Sequence, residues 1–94
     1  MVAKLYQIDS LPDVLVAEKE IELYDLVVFN DDVNTFEHVI NTLIQVCKHS
    51  SEQAEQCTWI IHYKGKCSVK KGSFEELAPM RQGICDKGIS AEIL

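Results

Sequence analysis

Apolar positions along the chain fall into short runs whose period changes from one run to the next. Leu23 to Phe29 is mostly apolar and includes Tyr24, Val27, Val28 and Phe29. That composition predicts a strand, over about Glu22 to Phe29, buried on at least one face. The run stops at Asn30-Asp31-Asp32. Beyond it, Phe36, Val39, Ile40, Leu43, Ile44 and Cys47 recur at i, i+3, i+4, i+7, i+8 and i+11. This is one core-facing stripe of a helix. Asn34 and Glu37 have capping-box spacing, which predicts a helix from an Asn34 cap to about Lys48. Ser50 and Gln53 repeat the signature, so a second helix opens near Ser51 and carries Ala54, Cys57, Ile60 and Ile61. Gly65 is its natural stop. The short link between the helices predicts an antiparallel pair.

From Lys66 to Lys71 the chain alternates, which predicts a short strand with Cys67 and Val69 facing inward. Ser73 and Glu76 form a third capping pair. Pro79 follows six places after that cap, which predicts a kink or a second helix start. Leu77, Met80 and Ile84 give this helix a buried side, and Gly88 ends it. Ile89, Ala91 and Ile93 then alternate as a last strand. The order β-α-α-β-α-β predicts an α/β (α+β) protein: a compact two-layer sandwich, a three-stranded sheet with helices on one face. Residues 1–22 pattern weakly, with Pro12 ahead of the run Val14-Leu15-Val16. They read as a flexible N-terminal extension, and residues 23–94 as the domain.

The length of 94 residues allows one domain. A net charge of −6 disfavours nucleic acid, whose phosphates need a basic face. No apolar run approaches the roughly 20 residues of a membrane span. Met1 to Ser10 holds a lone Lys4 and no apolar core of a signal peptide, so a cytoplasmic location is expected. The four cysteines, Cys47, Cys57, Cys67 and Cys85, form no CxxC and no metal-ligand spacing. They read as reduced core thiols, and no metal or other cofactor is expected.

The candidate chemistry sits at Asn30-Asp31-Asp32, where strand hands over to helix. The turn lacks the spaced oxygens and glycine of a calcium loop, and its carboxylates would repel phosphate. It suits a cation, and an organic ammonium group is the natural candidate. By themselves Asn30 and Asp31 are equally good turn residues, and His62 has an equally plain account as a cation at a helix C-terminus. Trp59 and Tyr63 read as packing or rim aromatics. Lys64, Lys66, Lys70 and Lys71 read as a solvated face, with a docking patch for an acidic partner as the alternative. An enzyme built on His62 with Asp31 or a cysteine has no nucleophile elbow to support it, so none is expected.

Asn30-Asp31-Asp32, Asn34, Glu37 and Val39, followed by Gln53-Ala54 and His62-Tyr63-Lys64-Gly65-Lys66, resemble the ClpS adaptor family. The resemblance covers about Leu23 to Val69 well and the last strand loosely. It implies a protein that binds the N-terminal residue of substrate proteins (the N-degron) and passes them to a Clp AAA+ unfoldase, ClpA-like or ClpC-like. It implies that Asn30 and Asp31 hold the α-amino group with His62, and that Asp32 lies near the pocket rim. Asn34 belongs to the same rim, and Val39 and Ile61 match apolar wall positions. Phe36 stands where the family usually has a methionine that narrows the pocket, within Val33-Asn34-Thr35-Phe36 in place of Tyr-Thr-Pro-Met. In the third helix, Glu76-Leu77-Ala78-Pro79-Met80 replaces an uninterrupted segment that helps meet the unfoldase. A monomer preferring large side chains unbranched at Cβ is expected. The alternative is a recruitment domain of similar fold, like that of the ribosomal stalk protein, which has no use for an acidic pocket.

Overall fold

The computed structural model describes residues 22–94. The extension expected over residues 1–22 lies outside the described residues, apart from its last residue. The elements follow in the expected order: β1 (Tyr24–Phe29), α1 (Phe36–Cys47), α2 (Ser51–Lys64), β2 (Lys66–Gly72), α3 (Phe74–Asp86) and β3 (Ala91–Ile93). The strands form one three-stranded antiparallel sheet in the order β2-β1-β3. β1 is central, and Leu26, Val27 and Val28 are buried in succession. Side chains alternate across a strand, so Leu26 and Val28 share one face. On that face they join Val39, Leu43 and Cys47 of α1, Ala54 and Ile61 of α2, and Leu77 and Ile84 of α3 in one core. The helices therefore cover one side of the sheet, and each large core side chain contributes about 1.5–3 kcal/mol.

The cap of α1 differs from the sequence expectation. Thr35, not Asn34, is the N-cap, and its hydroxyl accepts the His38 N–H at 3.1 Å. Asn34 is committed elsewhere: its side-chain amide donates to Asp31 and to the Gly88 carbonyl. The helix closes at Cys47 with Lys48 in the left-handed region at φ 62°. Val39, Leu43 and Cys47 of the stripe are buried, while Phe36, Ile40 and Ile44 are half-buried. Thr42 is also buried, with its hydroxyl satisfied by the His38 carbonyl at 2.8 Å.

Ser50 caps α2 by accepting the Gln53 N–H at 3.1 Å. Ser73 and Glu76 complete the full reciprocal capping box of α3. That helix runs on through Pro79 and does not start again there. Proline removes one donor, the bond to the carbonyl four residues back at Glu75. Glu75 and Pro79 are both exposed, while Leu77 and Ile84 anchor the helix on either side of the gap. β3 is shorter than the alternation suggested. The Ile89 N–H closes the end of α3 by bonding the Ile84 carbonyl at 3.3 Å, so Ile89 belongs to the helix stop. β1 likewise begins at Tyr24, two residues later than expected.

The register of β1 on β2 shifts between Leu26 and Val27, leaving Val69 as the extra residue of a bulge. His49 is buried beside it, with Nε2 2.7 Å from the Val69 carbonyl. The carbonyl can only accept, so Nε2 carries the proton in this bond. No helix among the described residues is long and apolar enough to cross a membrane.

Candidate functional site

Sheet register brings the two candidate halves together. The antiparallel pairing of β1 with β2 ends at Phe29 opposite Lys66. One step on, the Asn30 N–H donates to the Gly65 carbonyl at 2.9 Å. Gly65 is the left-handed cap of α2 at φ 91°, and its own N–H bonds Ile61. A glycine takes that conformation without the Cβ penalty. The turn after β1 is thus tied to the last turn of α2, where His62 sits.

The Asp31 carboxylate shapes the turn. Its Oδ1 accepts the Val33 and Asn34 N–H groups, both at 2.9 Å, and its Oδ2 accepts the Asn34 amide at 2.8 Å. The Asn34 N–H does most to hold the Asp31 carboxyl below its usual range, against partial burial, and the other two donors add to it. The Asn34 amide also donates to the Gly88 carbonyl at 2.9 Å, pinning the turn to the link between α3 and β3.

An open cleft with a cavity volume of about 290 Å³ lies between this turn, the start of α1 and the end of α2. Asn30, Asp31, Asp32, Asn34, Phe36, Val39, Ile61 and His62 all line it. Every candidate site residue from the sequence therefore falls in one place. Asn30, Asp32 and His62 are exposed, Asp31, Asn34 and Phe36 half-buried, and Val39 and Ile61 buried. The cleft is polar at the turn and apolar where α1 and α2 meet the core. Two lining residues escaped the sequence reading, Thr35 and Thr58. Thr58 is buried, and its hydroxyl bonds the Ala54 carbonyl at 2.8 Å. Its position one helical turn before His62, beside Ile61, was the available signal.

Phe36 joins the cleft to a group of aromatic rings. Its ring meets Trp59 edge-on at 4.7 Å and His62 at 5.1 Å. Trp59 and Tyr63 stack with centroids 5.3 Å apart and an interplanar angle of 10°. Chemically, the cleft offers acceptors and negative charge at one side and an apolar recess at the other. A cation carrying one apolar side chain fits both. No group of His, Cys, Asp and Glu among the described residues is arranged to hold a metal.

The family model described as "ATP-dependent Clp protease adaptor protein ClpS" matches residues 19–91. The chain belongs to the ClpS family. The ATP-dependent Clp protease adapter protein ClpS of Thermosynechococcus vestitus is 30% identical over 76 residues, covering 80% of this chain and 81% of that protein. Among solved structures, that of Agrobacterium tumefaciens ClpS2 bound to L-phenylalaninamide shares the fold. Its TM-score is 0.75 at 19% identity, covering 78% of this chain and 95% of that one. The ClpS match spans α3 together with Pro79, so the proline lies within the family domain. As a ClpS member the chain is a Clp protease adaptor by family.

Proposed function

We propose that this chain is a non-catalytic, monomeric cytoplasmic adaptor that binds the N-terminal residue of substrate proteins and delivers them to a Clp AAA+ unfoldase of the ClpA or ClpC kind. The observation that carries the reading is the two-sided cleft, with Asn30, Asp31 and His62 at its polar side and Val39 and Ile61 at its apolar side. A protein N-terminus is one of the few protein groups that joins a positive charge and a side chain at one carbon. Its ammonium has three donors and no acceptor, so carboxylate, amide and imidazole acceptors satisfy it. Charge-assisted bonds of this kind contribute roughly 1.5–3 kcal/mol each. His62 lies in the last turn of α2, where the negative pole of the helix adds to the attraction.

In this reading Asp31 keeps one acceptor site for the ammonium while building the turn with the rest. Asp32 is exposed and makes no hydrogen bond or ion pair among the described residues, so it supplies free negative charge at the rim. Phe36, half-buried at the mouth, acts as the gate. The L-phenylalaninamide held by the Agrobacterium protein combines a free amine with an aromatic side chain, the same pairing of groups. A volume of about 290 Å³ is at the lower limit for ligand pockets and suits one large side chain.

The test is a panel of peptides that differ only in residue one, measured for binding and then, fused to a model substrate, for degradation by the cognate unfoldase and protease. Leu, Phe and other large residues unbranched at Cβ are expected to bind and to be degraded. Uniform binding across the panel would refute the reading.

A further inference from the structure

Trp59 and Tyr63 have no place in the core. Trp59 is 44% exposed and Tyr63 74% exposed, yet their rings lie parallel and in contact. Neither ring is needed to line the cleft, but both are continuous with it. Phe36 and His62 line the cleft, Phe36 touches Trp59, and His62 touches Tyr63 at 5.1 Å between ring centres. The step from the Phe36 ring to the Trp59 ring is 4.7 Å. Consecutive Cα atoms of a peptide are about 3.8 Å apart, so a chain that leaves the cleft past Phe36 meets this stack within a residue or so.

Charge is uneven along the stack: Lys64 follows Tyr63 at its C-terminal end, and the Trp59 end is the one that favours a cation. Glu55, Trp59 and Tyr63 are spaced i, i+4 and i+8, so they share one exposed face of α2 with a carboxylate at its N-terminal side. Asp31 and Asp32 stand on the other side of the cleft, and the chain carries a net charge of −6. Aromatic faces attract cations through the ring quadrupole, tryptophan most strongly. Arginine stacks its flat guanidinium on a ring, whereas lysine offers only a point charge.

We infer that the Trp59–Tyr63 stack receives the side chain of residue two of the bound peptide and selects arginine there. The inference rests on the reading of the cleft as the seat of residue one. It makes the adaptor a reader of two positions, one apolar and one cationic.

The experiment uses the full chain and peptides with a free α-amino group, Phe at residue one, and Arg, Lys, Ala or Glu at residue two. Affinities come from anisotropy of a C-terminal dye. Trp59 is the sole tryptophan of the chain, so its emission reports independently on contact with the stack. The Arg peptide should bind roughly threefold to fivefold tighter than the Ala peptide, with Lys between them, and should shift the Trp59 emission. Trp59→Leu keeps an apolar contact for Phe36 but removes the ring face. It should leave the Ala peptide within about twofold and abolish the Arg advantage. An Arg advantage that survives in Trp59→Leu would come from long-range charge and overturn the inference. So would equal binding of Arg and Ala peptides to the unaltered protein. If none of the peptides binds better than its N-acetylated form, the reading of the cleft itself fails, and this inference falls with it.

Discussion

Asp31 and Asn34 hold each other twice, through the Asn34 N–H on Oδ1 at 2.9 Å and the Asn34 amide on Oδ2 at 2.8 Å. Asp31 lies in a surface turn and outside the core. These bonds make it the frame of the cleft's polar side. Asp31→Ala should therefore lower both peptide affinity and stability. Leaving the turn donors without their acceptor should cost about 1–3 kcal/mol in urea unfolding. The carboxyl is held below its usual value of 3.8, so its contribution is complete above that pH. It is lost as pH falls through the lowered folded-state value. An unfolding midpoint for Asp31→Ala equal to that of the unaltered protein at pH 7 would contradict this.

Asp32 separates binding from folding. Its carboxylate is exposed and makes no bond in the turn among the described residues. Asp32→Ala should lower affinity for a free N-terminus several-fold and leave the melting temperature unchanged. A loss of stability comparable to that of Asp31→Ala would assign Asp32 to the turn and not to the rim.

Phe36 sets which side chains enter. A β-branched residue would press its second Cβ substituent against the Phe36 ring at the mouth. Phe36→Ala should then admit peptides beginning with Val or Ile, while burial of Leu still contributes roughly 1.5–3 kcal/mol. Competition titrations of Val, Ile and Leu peptides read the order directly. An unchanged order would make Phe36 only a packing residue against Trp59 and His62.

Delivery and binding should come apart on truncation. The cleft residues named above lie between 30 and 62, and the family match begins at residue 19. Removing residues 1–18 should leave peptide affinity within about twofold. Fully extended, 22 residues reach at most about 70 Å. Degradation of a model substrate should be lost or sharply slowed. Full-rate degradation by the truncated protein would remove the extension from the delivery step, and lost binding would place it in the pocket.

The fold was legible where local chemistry and tertiary packing agree. The stripe of Val39, Leu43 and Cys47, the Ser73–Glu76 box and the Gly65 stop are all local signals that the core reinforces. The readings that changed involve residues whose local tendency is outweighed by a tertiary contact or by burial in the core. Asn34 has capping chemistry, but the Gly88 carbonyl lies 54 residues away, and the bond to it leaves Thr35 to cap α1. Pro79 carries a strong breaking tendency, which two fully buried neighbours on the same helix outweigh. The candidate residues of the cleft could be named because the turn and His62 each carry polar chemistry. Thr58 offered only its place one turn before His62, because a threonine bonded to its own helix otherwise looks from sequence like any other helical position.

The central claim is that the polar side of the cleft recognises a free α-amino group. It is tested most directly by the dissociation constants of one peptide, with Leu or Phe at residue one, in free and N-acetylated forms. Acetylation removes the charge and two of the three donors and adds bulk at Asn30, Asp31 and His62. The account predicts that the acetylated peptide binds at least tenfold to a hundredfold more weakly, the loss of about 1.5–3 kcal/mol. Equal binding of the two forms would contradict it.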